Sequence, residues 1–147
     1  MFCHFSLTSP LTNCPNFLSK LEENKPKYLV IYDDGFNYLT KMCLTNMREA
    51  AFDMIAIGKK HNCIVIVNSS DSTDHYKKYL NKGADYVLLG EGEISLKELV
   101  LKLGNNEQID LLKGIVYKND LDYTINPKRE VLKNLDELPM PILTLAL

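Results

Sequence analysis

No run of apolar residues in this sequence approaches the ~20 needed to cross a bilayer as a helix, so a membrane span is not expected. Neither sign of charge dominates. Seventeen basic and 19 acidic side chains leave a net charge of −2, which gives no electrostatic reason to expect nucleic acid or an anionic surface as partner. The N-terminal stretch MFCHFSLTSPLTNCPNFLS lacks the basic start of a secretory signal, and Pro10, Asn13 and Pro15 interrupt it early. Together these absences predict a cytoplasmic chain. Cysteine is sparse: Cys3, Cys14, Cys43 and Cys63 form no CxxC, CxxxCxxC or Cys/His zinc pattern. Cys43 in a helical pattern and Cys63 at a strand start read as small buried apolar residues. Cys3 and Cys14 read as exposed thiols, and the Cys3-His4…Cys14 spacing lacks a fourth metal ligand. There is no internal repeat and no low-complexity tract.

What is present is an ordinary globular composition, 46% apolar and 24% charged over 147 residues, enough for one domain with a core. Three apolar runs stand out: YLVIY (28–32), CIVIV (63–67) and YVLL (86–89). They are continuous rather than alternating, which predicts strands covered on both faces, as in a parallel sheet. The intervals between them have a helical period. In 39–60, Met47, Ala50, Ala51, Met54 and Ile55 form one stripe. In 74–82, Tyr76, Tyr79 and Leu80 face inward, and Gly83 reads as the helix stop. In 95–103, Leu96, Leu99, Val100 and Leu103 repeat the stripe. Ser95 with Glu98 fits a capping box there, Ile94 with Leu99 a hydrophobic staple, and Gly104 a stop. The order β–α–β–α–β–α predicts a right-handed, parallel, Rossmann-like α/β unit of three βα repeats. Residues 1–26 read as an irregular lead-in with a short helix at 16–23, 27–112 as the α/β domain, and 113–147 as a β-hairpin extension and connector.

In an open parallel sheet, ligands meet the carboxyl ends of the strands. Three polar loops fall there: DDGFN (33–37), NSSDSTD (68–74) and GEGE (90–93). Gly90 and Gly92 let a bulky partner approach the backbone. Glu91 and Glu93 complement a helix N-terminus and accept hydrogen bonds, which suits a neutral, amide-bearing ligand and tells against a polyanionic phosphate. Read plainly, the same loops are turns and helix caps. Asp33 and Asp34 also fit a Mg²⁺ pocket. His75 reads as a first-turn residue and His61 as a charge complement at a helix C-terminus.

The ordered series IYDDGFNYLTKMCL…MREA, NSSDSTDHYKKYLNKGADYVLLGEGEISLKEL, GIVYKND and LDELPMP resembles the cobalamin-binding domain of radical S-adenosylmethionine enzymes, over residues 28–143. The resemblance implies a Rossmann-like sheet with cobalamin across its carboxyl edge. It also implies a following barrel domain whose CxxxCxxC holds a [4Fe–4S] cluster that cleaves S-adenosylmethionine, often to methylate carbon. It places Asp33, Asp34, Phe36 and Asn37, then Ser69, Ser70 and Asp71, then Gly90, Glu91, Gly92 and Glu93 in the three loops beside the cofactor.

The sequence departs from that family in three ways. It has no CxxxCxxC, so the cluster, S-adenosylmethionine and catalysis belong to a parent enzyme. It has no DxHxxG, so no histidine is placed to ligate cobalt. The family sheet needs two further strands, so the fold is expected to be incomplete. The chain is accordingly read as a fragment or free-standing relative of a cofactor domain. It is non-catalytic alone, partnered by a radical enzyme barrel domain or subunit, and open to self-association through an exposed sheet edge. Two alternatives stand beside this. One is a degenerate interaction or structural domain without cofactor. The other is a receiver-like signalling module, for which Asp71 would be the phosphoacceptor but which lacks a lysine after the last strand.

Overall fold

The computed structural model describes residues 2–5, 15–32, 44–119 and 122–130. In chain order they form β1 (Phe2–Phe5), α1 (Pro15–Asn24), β2 (Tyr28–Tyr32), α2 (Leu44–Lys60) and β3 (Ile64–Asn68). There follow α3 (Ser70–Asp74), α4 (Tyr76–Asn81), β4 (Tyr86–Leu88), α5 (Glu93–Gly104), β5 (Ile115–Lys118) and β6 (Tyr123–Ile125). The strands make one six-stranded sheet in the order β1-β2-β3-β4-β5-β6. The pairings from β1 to β4 are parallel, with Leu29 opposite Val65 and Ile66 opposite Tyr86. Those of β5 with β4 and β6 are antiparallel, with Val116 between Val87 and Ile125. This is a Rossmann-like α/β fold.

The continuous apolar runs are explained by two cores. Alternate residues of each strand point to opposite faces. Leu29, Ile31, Val65, Val67 and Val87 face one side, where Phe17 and Leu21 of α1, Ala51, Met54 and Ile55 of α2, and Tyr79 and Leu80 of α4 cover them. Tyr28, Val30, Ile66, Leu88 and Ile115 face the other, against Leu99 of α5 and Leu112. Ile55 and Leu99 are both fully buried, so truncating either to alanine costs about 2–5 kcal/mol.

Several expectations need correction. Within residues 1–26 the expected short helix is present as α1, and β1 adds a fourth parallel strand that was not expected, with Phe2 opposite Tyr28. The expected hairpin extends the main sheet, with β5 pairing antiparallel to β4. The helix α5 begins at Glu93 with Gly92 as its cap, so Ser95 lies inside the first turn. The Ser95 hydroxyl is buried and donates to the Lys113 carbonyl (3.1 Å) while accepting from Arg129 (3.2 Å), and Glu98 pairs with Arg129 instead of closing a capping box. Gly104 is the last residue of α5, and the left-handed residue beyond it is Asn106. Gly83, with φ +110°, does end α4. Cys63 is buried, its thiol donating to the Pro26 carbonyl at 3.2 Å. Cys43 and Cys14 lie outside the described residues.

Candidate functional site

The connection after β3 runs to α3 and α4 on one face of the sheet, whereas that after β4 runs to α5 on the other. Neighbouring loops that leave in opposite directions open a crevice at the carboxyl edge between their strands, the usual ligand position in α/β sheets. A cleft of about 420 Å³ lies there. Its lining comes from Tyr32 at the end of β2, from Asn68, Ser69, Ser70, Thr73 and Asp74 after β3, and from Gly90, Glu91 and Glu93 after β4.

Asn68 forms its floor. The side chain is buried, and its amide donates to the Gly90 carbonyl at 3.1 Å. Gly92 presses directly on it: a Cβ at Gly92 would lie 2.7 Å from Asn68 Cγ, too close for any side chain. Gly90 sits at φ +71°, a region glycine enters without the steric cost other residues meet. The two glycines therefore do different work. Gly90 makes the turn and Gly92 lets the loop settle onto the carboxamide.

The wall after β3 is a helix cap. Ser69 Oγ accepts from the Ser72 amide and Ser72 Oγ from the Ser69 amide, both at 2.9 Å, a reciprocal capping box. Thr73 Oγ1 donates to the Ser69 carbonyl (3.0 Å) and accepts from the Gly90 amide (3.3 Å), which ties this wall to the glycine loop. The opposite wall is braced by the Tyr32 hydroxyl, which donates to Glu93 Oε1 at 2.7 Å, from β2 to the first turn of α5.

Asp71 departs from the expected role. Its carboxylate accepts from Arg48 Nε at 2.7 Å and from a terminal Arg48 nitrogen at 2.5 Å, and it also accepts the Tyr79 hydroxyl at 2.7 Å. The Arg48 hydrogen bonds hold the Asp71 carboxyl below its ordinary range against the opposing effect of burial, with Tyr79 assisting. The same bond raises Arg48, while burial and then Asp71 push the Tyr79 phenol up. Asp71 thus clamps α3 to α2 and does not line the cleft. His75 stands at the α3–α4 junction, 3.9 Å from Asp71 Oδ1.

Of the residues expected from sequence, Ser69, Ser70, Gly90, Glu91 and Glu93 come together in the cleft, with Gly92 packed beneath it. Asp33, Asp34, Phe36 and Asn37 lie outside the described residues. Tyr32 lies outside the loops named from sequence, and Asn68, Thr73 and Asp74 fall within NSSDSTD (68–74) without being singled out. The last residues of YLVIY and IVIVN are polar-tipped side chains at carboxyl strand ends, and that position is the available signal. Among the described residues, the cleft offers hydroxyls and carboxylates and no lysine, arginine or histidine. Among them too, no three His, Cys, Asp or Glu side chains group to hold a metal ion, and no helix is long and apolar enough to cross a membrane.

No family model matches the chain. It is 37% identical over 57 residues to an uncharacterized methyltransferase of Pyrococcus horikoshii, a match covering 39% of this chain and 12% of that protein. Among solved structures it is similar to the cobalamin-dependent S-adenosylmethionine radical enzyme OxsB with aqua-cobalamin bound, and to the same enzyme with aqua-cobalamin and S-adenosylmethionine. Each of these has a TM-score of 0.56 and 16% identity over 78% of this chain and 16% of that one. The apo form matches with a TM-score of 0.51 and 14% identity over 87% of this chain and 20% of that one. The chain therefore spans a small part of each protein it matches. What it shares with part of OxsB is a Rossmann-like α/β fold of the cobalamin-binding type.

Proposed function

We propose that this chain is a cobalamin-binding-type module that serves a radical S-adenosylmethionine enzyme and does no chemistry alone. The observation that carries the reading is the cleft between the β3 and β4 loops, at the edge where such sheets bind ligands, in a fold shared with a cobalamin-dependent enzyme. The donor set fits the group. A corrin ring is apolar at its faces and fringed with amides, and the cleft meets it with carboxylate and hydroxyl acceptors: Glu91, Glu93, Asp74, Ser70 and Thr73. These described lining residues would hold a corrinoid by its periphery. When bound, the corrinoid supplies the difficult chemistry, and this chain supplies orientation.

The cleft's 420 Å³ is near the lower end of the usual ~300–1,000 Å³ for ligand pockets, and a corrinoid exceeds it. It would take one edge of the ring and leave the remainder for a second surface. The chain's course supports a following domain as that surface. The hairpin returns the backbone to the same edge, where the Leu89 amide donates to the Gly114 carbonyl at 2.9 Å and the Gly114 amide to Pro127 at 2.8 Å. Arg129 then ties the strand's continuation to Ser95 and Glu98 of α5. The receiver-like alternative has less support, since its phosphoacceptor candidate Asp71 is occupied by Arg48 and Tyr79.

Incubation with aquacobalamin followed by desalting tests the reading. The expected result is near-stoichiometric retention with an altered visible spectrum. Loss of all colour, together with an unperturbed spectrum before desalting, overturns it.

A further inference from the structure

Resting on that reading, we propose that Asn68 Oδ1 is the anchoring acceptor of the cleft, a fixed point that takes an N–H from one amide arm of the ligand and so positions the ring. Asn68 is 4% exposed and lines the cleft from the carboxyl end of β3. Both hydrogens of its amide are engaged by main chain at the end of β4. Nδ2 donates to the Leu88 carbonyl at 3.4 Å and to the Gly90 carbonyl at 3.1 Å. Because those neighbours can only accept, the nitrogen must face them, and the oxygen is turned the other way. Oδ1 accepts no hydrogen bond among the described residues, yet it is not sealed from solvent, and the opening beside it is the cleft. Donors close by are engaged elsewhere. The Ser69 amide goes to Ser72 Oγ, the Gly90 amide to Thr73 Oγ1, and the Thr73 hydroxyl to the Ser69 carbonyl. A nearly buried acceptor without a donor is unfavourable, and a guest that brings the donor removes that penalty. The acceptor is also held still. Gly92 lies so close that a Cβ there would sit 2.9 Å from Oδ1, and the two Nδ2 bonds stop the carboxamide from turning. A group fixed before binding has little freedom left to lose. The ligand chemistry that fits is a neutral N–H donor, which the primary amides fringing a corrin supply.

Two corrinoids with uncharged arms isolate the N–H. Aquacobinamide has amide arms. The heptamethyl ester of aquacobyrinic acid keeps the carbonyl oxygens but has no N–H. Each is titrated in the same dilute-methanol buffer against the full chain and against Asn68→Ala, following the visible spectrum. Aquacobalamin is titrated in parallel, and urea denaturation checks that the variant is folded. The expected result is cobinamide binding at least ~tenfold tighter than the ester to the native chain. Asn68→Ala should then weaken cobinamide at least about fivefold more than it weakens the ester. A role confined to holding the Gly90 loop would weaken the two alike. That outcome, equal binding of both by the native chain, or a gap that closes because the ester tightens, overturns the anchor, while aquacobalamin binding still upholds the cofactor. If Asn68→Ala does not fold, the native chain decides. The Asn68 Cγ resonance of a carbon-labelled sample should move with aquacobinamide and not with the ester, and a resonance that both move alike, or that neither moves, overturns the anchor. Failure of aquacobalamin and aquacobinamide alike to bind overturns the cofactor reading and the anchor with it.

Discussion

The two ends of the sheet are built from similar residues to opposite effect. At the amino end of the strands, polar groups close on one another. Asp85 accepts Lys59 Nζ at 2.8 and 2.9 Å and the Val65 amide at 2.7 Å, and the Ile64 amide meets the Lys27 carbonyl at 2.9 Å. At the carboxyl end, Asn68, Tyr32 and Thr73 also form internal bonds, but these serve to hold a cleft open with Glu91, Glu93 and Asp74 along it. An acid that closes a backbone gap, like Asp85, is part of the frame. An acid along the cleft presents its charge to whatever enters. Asp71 shows that position at the carboxyl end does not decide between the two roles: it sits there, on α3, yet belongs to the frame through Arg48.

Substitutions sharpen that contrast, beginning with the frame. Asp71→Ala leaves the Arg48 guanidinium without its partner and should cost about 3 kcal/mol, read as a lower urea midpoint. The pH dependence follows from the shifts. The lowered Asp71 pKa gives a stabilising contribution complete above its ordinary value of 3.8, fading as pH falls through the lower folded value. The raised Tyr79 pKa gives one complete below 10.0 and lost as pH rises through the higher folded value. Acid denaturation of the Asp71→Ala chain should therefore be shallower on its low-pH limb; an unchanged limb would contradict the assignment. Next, Asp85→Ala should cost about 2 kcal/mol by stranding the buried Val65 amide, with corrinoid retention unaltered. Gly92→Ala should cost less, about 1–2 kcal/mol, but should weaken retention because the Asn68 amide must leave Gly90. Smallest in stability is Glu91→Gln, with an unmoved urea midpoint. An Asp85 variant that lost the ligand, or a Gly92 variant that kept it unchanged, would break the division between the two ends.

Much of the frame was legible because burial on two faces leaves continuous apolar runs, and YLVIY, CIVIV and YVLL each became a strand within one residue. The helical stripes held for the same reason: Ala51, Met54 and Ile55 are buried as their spacing requires. β1 was not legible, since FCHF is short and Pro10 and Pro15 follow, and its strand state depends on pairing with β2. Ser95 misled because its local pattern suits a cap, whereas the Lys113 carbonyl and Arg129 draw it into the first turn. At the candidate site, Gly90, Glu91 and Glu93, which line the cleft, were singled out from local chemistry. Long-range pairings were invisible to it: Tyr32 with Glu93 spans 61 residues and Arg48 with Asp71 spans 23, and no periodicity announces either.

The strands lie side by side in the order in which they are synthesised. Each needs only the segment just before or after it, so loop-closure costs stay low and assembly can follow translation. β4, only three residues long, gains its second neighbour when the hairpin emerges. The part of the rim that β4 carries is thus secured late in assembly.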